Sequence, residues 1–84
     1  MRIYIAEDDP SVIGVLEDIL ESSALGRVCG ASEEGATDPE RIMALDPDLV
    51  LVDLLMPGRD GIQLVRELKE LGSRAKFVMI SQVS

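Results

Sequence analysis

Residues 48–61 read D-L-V-L-V-D-L-L-M-P-G-R-D-G, and the fold turns on the change of character at Asp53. From Asp48 to Val52 the run is apolar on both faces, the pattern of a strand in the middle of a parallel sheet. A carboxylate follows at once. Solvation explains it poorly, because it sits directly at the end of a buried strand. Pro57, Gly58 and Gly61 then punctuate a loop over residues 54–61. Asp60 with Gln63 makes a capping pair for a helix running to Leu71. Its apolar positions are Ile62, Leu64, Val65, Leu68 and Leu71, and Gly72 ends it.

Outward from this stretch the chain keeps alternating strand and helix signals. Arg2–Ala6 is a short apolar run and a first strand. Asp9 can cap a helix with Pro10 in its first position, and Val12, Leu16, Ile19 and Leu20 recur at helical spacing opposite Glu17 and Asp18. Residues 26–31 form a second strand and residues 32–37 a polar loop. Thr37-Asp38-Pro39-Glu40 starts the helix Pro39–Leu45, which Asp46-Pro47 stops. Lys76–Ile80 is a fourth strand, with Ser81 at its end. Four strands alternating with three helices through short connections predict βαβ units and one α/β domain. Nothing helical follows the fourth strand, so residues 77–80 should form an exposed apolar edge, open to self-association.

The bulk composition narrows the function. The 84 residues are 46% hydrophobic with only one Tyr and one Phe, so aliphatic side chains must fill a small core. Sixteen acidic against eight basic residues leave a net charge of −8. That charge argues against nucleic acid or an anionic membrane as partners and favours cations. No run approaches the length of a membrane span, and no signal-peptide pattern opens the chain. The single cysteine, Cys29, reads as a buried structural thiol in a reducing, cytoplasmic compartment. There is no histidine, which excludes Ser-His and Cys-His catalysis and histidine metal ligands. Chemistry must run on carboxylates, hydroxyls, backbone and metal.

Glu7-Asp8-Asp9, Asp53 and Ser81 all fall at carboxyl ends of strands, where open parallel sheets bind ligands. If the first and third strands are neighbours, right-handed crossovers bring Glu7, Asp8 and Asp53 together. Three carboxylates so placed need a counter-ion, and their oxygens suit Mg²⁺, for which Mn²⁺ can substitute. The plain reading for Asp9 is a helix cap; for Glu7 and Asp8, capping or solvation stands level with metal binding. A metal beside a carboxylate nucleophile is a workable phosphoryl-transfer site.

The segments I-A-E-D-D-P at 5–10, L-V-D-L-L-M-P-G-R-D-G at 51–61 and V-M-I-S at 78–81 together resemble the receiver domain of two-component response regulators. The resemblance covers the whole chain in order. It implies a flavodoxin-like three-layer fold with a parallel sheet of strand order 2-1-3-4. It also implies that Asp53 is the aspartyl-phosphate site, loaded by a histidine kinase or phosphotransfer protein. Asp8 would be a direct Mg²⁺ ligand, Glu7 a water-mediated one, Leu55 a ligand through its backbone carbonyl, and Ser81 the switch hydroxyl. A receiver catalyses only its own phosphorylation and dephosphorylation, so no enzyme in the wider sense is expected. The departure lies past Ser81. The family continues with a helix, a fifth strand bearing a phosphoryl-pairing lysine, and a last helix, none of which residues 1–84 contain. On this expectation the chain is the N-terminal portion of a receiver, or a short form acting only as an interaction module. A phosphatase with a second aspartate two residues after the nucleophile is disfavoured by Leu55 at that place.

Overall fold

The structure, a computed structural model, describes residues 1–7, 9–32, 39–53, 55, 56 and 59–80. Its elements run β1 (Arg2–Ala6), α1 (Pro10–Ser22), β2 (Arg27–Ala31), α2 (Pro39–Leu45), β3 (Leu49–Asp53), β4 (Leu55–Met56), β5 (Arg59–Asp60), α3 (Gly61–Glu70) and β6 (Lys76–Ile80). The four long strands form one parallel sheet in the order β2-β1-β3-β6. This is the expected order 2-1-3-4, with β6 as the fourth strand of the sequence reading. The two central strands, β1 and β3, are the apolar runs that can tolerate cover on both faces.

Alternation along those strands builds two cores. Tyr4, Ala6, Val50 and Val52 turn to one face, where Ile42 of α2 and Leu64 and Leu68 of α3 pack on them. Ile3, Ile5 and Leu51 turn to the other face and meet Leu20 of α1, with Ile13 and Leu16 beside it. The period of two in the strands and of 3.6 in the helices is thus what divides the aliphatic residues between layers.

Local signals set the element ends. Asp9 accepts a hydrogen bond from the Ser11 backbone N–H at 2.9 Å and caps α1, with Pro10 following. α3 closes on Gly72, whose N–H donates to the Lys69 carbonyl and whose φ of +89° turns the chain so that the Ser73 N–H reaches the carbonyl of Leu68. Both bonds are 3.0 Å long, the paired-bond glycine stop. The last carbonyl of α2, on Leu45, accepts from the Arg2 guanidinium at 2.7 and 3.1 Å.

Several expectations need correction. Residues 54–61 are not simply a loop, because Leu55 pairs with Asp60 and Met56 with Arg59 in an antiparallel ribbon. Ile19, assigned to the buried stripe of α1, is 56% exposed, because Ile13 and Leu16 lead the inward face instead. Ile62 and Leu71 also face outward. Cys29 is half-buried against the α2/α3 core rather than fully enclosed. The capping motif at Thr37 lies outside the described residues.

Candidate acidic site at the carboxyl ends of β1 and β3

The site forms where the two central strands stop. Ala6 is registered with Val52, so the next residues, Glu7 and Asp53, leave neighbouring strands side by side. Both are buried, with 2% and 4% of their surface exposed. Carboxylates at such positions are costly to hold without compensating charge or hydrogen bonds. Glu7 Oε1 accepts a hydrogen bond from the Asp9 backbone N–H at 3.1 Å, which ties that carboxylate to the turn leading into α1. On its other side Asp53 is registered with Ile80, the last residue of β6.

The structure therefore brings together two of the five residues singled out in the sequence. A third, Leu55, has its backbone in the ribbon two residues after Asp53, paired with Asp60. Asp8 and Ser81 lie outside the described residues, although each adjoins a described residue at this end of the sheet, Glu7 and Ile80. Among the described residues no group of three His, Cys, Asp or Glu side chains is placed to hold a metal. The pair that is present offers only hard oxygen donors in a buried setting. That chemistry fits Mg²⁺, which is held by one or two carboxylates and otherwise by water and phosphate oxygens.

Two neighbours of the site escaped the sequence reading. Gly61, taken as loop punctuation, is buried, and its Cα lies against the Asp53 main chain. Ser32, at the carboxyl end of β2, is buried with its Oγ 3.4 Å from the Tyr4 hydroxyl. A tyrosine in an otherwise aliphatic strand was the available signal for that second contact.

The model of the response regulator receiver domain matches residues 3–84. The chain belongs to this receiver domain family. The receiver is 42% identical over 84 residues to the transcriptional regulatory protein GlnL of Bacillus subtilis, covering 99% of this chain and 26% of GlnL. It is 30% identical over 82 residues to the chemotaxis protein CheY of Halobacterium salinarum, covering 98% of this chain and 67% of that protein. The fold superposes on the signal receiver domain of NarL from Mycobacterium tuberculosis with a TM-score of 0.86 at 29% identity, over 99% of this chain and 67% of that one. The receiver thus spans about a quarter of one curated relative and two thirds of the other. No helix among its described residues is long and apolar enough to cross a membrane.

Proposed function

We propose that Asp53 accepts a phosphoryl group from a histidine kinase or phosphotransfer protein, and that the aspartyl phosphate is the signal. The observation that carries this reading is the placement of Glu7 and Asp53, both buried, at adjoining strand ends of a receiver sheet. Glu7, Asp8, Asp53 and the Leu55 backbone carbonyl would hold Mg²⁺, or Mn²⁺ in its place. When bound, the ion neutralises carboxylate and phosphoryl oxygens, so that an anionic nucleophile can approach an anionic group.

An Asp53 carboxylate oxygen attacks phosphorus in line. The new O–P bond forms as the donor's N–P bond breaks, and that electron pair stays on the imidazole. The β3 backbone fixes the direction of approach, since Asp53 is registered with Ile80 of β6 and the preceding residue, Val52, with Ala6 of β1. The Ser81 hydroxyl would then hydrogen-bond the phosphoryl group and carry the change to a neighbouring surface. The domain catalyses only this transfer and its own hydrolysis. Neither nucleic acid nor membrane is contacted by this segment, and the setting is cytoplasmic.

Residues 1–84 would form the N-terminal portion of a receiver, which their 67% coverage of CheY and NarL supports. Treatment of the intact protein with acetyl phosphate and Mg²⁺ should add one hydroxylamine-labile phosphoryl group. Mass spectrometry should place it on Asp53, and Asp53→Asn should take up none. Undiminished labelling of that variant would identify another acceptor.

A second reading, an interaction module without phosphotransfer, draws on β6. Among the described strands β6 pairs on one side only, and its Val78 and Met79 are 47% and 40% exposed. A concentration-dependent dimer in sedimentation, together with no labelling at Asp53, would favour it.

A further inference from the structure

Gly61 is the first residue of α3, yet its nearest neighbours belong to β3. A methyl group added at position 61 would meet the Asp53 carbonyl oxygen at 2.5 Å, the Val52 Cγ1 at 2.9 Å and the Asp53 carbonyl carbon at 3.2 Å. Two of these three atoms are main chain, so no rotamer change removes the overlap. The third belongs to Val52, a side chain with no exposed surface and nowhere to swing.

The ribbon explains why α3 comes so close. The chain leaves β3 at Asp53, pairs Leu55 with Asp60 and Met56 with Arg59, and returns to Gly61 against the carbonyl it left. Asp53 and Gly61 thus form the neck of this hairpin. The neck holds the Asp53 main chain against Gly61, with the Leu55–Asp60 pair next along the ribbon.

We infer that Gly61 is a positioning residue for the phosphoacceptor. The absence of a side chain there lets α3 clamp the Asp53 backbone and fixes its carboxylate relative to Glu7 and the Leu55 carbonyl. This rests on the reading of Glu7 and Asp53 as a metal and phosphoryl site. Any side chain at position 61 must widen the neck, moving either the end of β3 or the start of the ribbon. The coupling also runs the other way: occupancy of the acidic site should be felt at Gly61.

The test follows backbone resonances of the chain during titration with Mg²⁺ alone. Gly61 should shift in step with Glu7 and Asp53 and with the same apparent affinity. Gly61→Ala should remain folded by circular dichroism but bind Mg²⁺ about 10- to 100-fold more weakly, the range found when a ligand loses its supporting contacts. Gly14→Ala is the control, since an added methyl there meets nothing within 4 Å, and it should bind like the unsubstituted chain. Unchanged affinity in Gly61→Ala overturns the inference. If that variant does not fold, the unsubstituted chain decides: a silent Gly61 beside a responding Glu7 also overturns it. A chain in which neither Glu7 nor Asp53 responds overturns the metal reading itself, and the inference with it.

Discussion

At the scale of single residues, the decisive fact is that two carboxylates sit side by side with almost no exposed surface. Like charges so placed oppose folding unless a cation or hydrogen bonds offset them. Asp53→Asn keeps the shape of the side chain and removes one of the two charges. In metal-free buffer that variant should therefore melt at a higher temperature than the unsubstituted chain. Adding Mg²⁺ should reverse the order, because an ion that binds only the folded state stabilises it by about 1.4 kcal/mol at ten times its dissociation constant. Differential scanning calorimetry with and without Mg²⁺ checks both halves. A metal-insensitive melting temperature in the unsubstituted chain would contradict the site. The sequence showed these carboxylates as candidates from their place after apolar runs. It could not show that Glu7 Oε1 is turned back toward the Asp9 N–H, since that depends on the path of the chain into α1.

At the scale of elements, the helices end by local chemistry, and one end is imperfect. Ala24 follows the C-cap of α1 with φ at +56°, in the left-handed region where a Cβ is unfavourable. Gly72 serves the corresponding role after α3 without that cost. Ala24→Gly should stabilise the chain by up to about 1 kcal/mol, a rise of roughly 4–8 °C for a domain of this size. The added backbone freedom of glycine in the unfolded chain works against this, so the gain is an upper figure. Thermal melting without metal is the measurement, and a lower melting temperature would show that the turn tolerates alanine. Caps and glycine stops were legible because each is a short-range match between a side chain and an orphan backbone group. The β4–β5 ribbon was not. Its two bridges accompany the return of the chain to Gly61 against the Asp53 carbonyl, and that close approach shows only in the packing.

At the scale of the molecule, an 84-residue domain has a margin of roughly 4–13 kcal/mol, and its two cores share the central strands. Leu64 of α3 is wholly buried against β1 and β3, so Leu64→Ala should cost about 2–5 kcal/mol, a large part of that margin. Ile62, two residues earlier on the same helix, is 49% exposed, and Ile62→Ala should change stability by no more than about 0.5 kcal/mol. Urea denaturation of the two variants separates the cases; similar losses would mean that α3 is rotated from the orientation described. Both residues carry the same helical signal in the sequence, and only docking distinguishes them. Ile19 and Leu20 of α1 differ in the same way. By itself the sequence determined the four long strands, the helices, most of their ends and the identity of Asp53 as the residue to explain, because periodicity, prolines, glycines and caps act within a few positions. The sequence placed Glu7 beside Asp53 only on condition that the first and third strands are neighbours; the tertiary structure decided the register, Ala6 beside Val52, and that Gly61 touches the Asp53 carbonyl. Those relations join residues some 46 and 8 positions apart through strand register and close packing, and neither is written into any local stretch of chain.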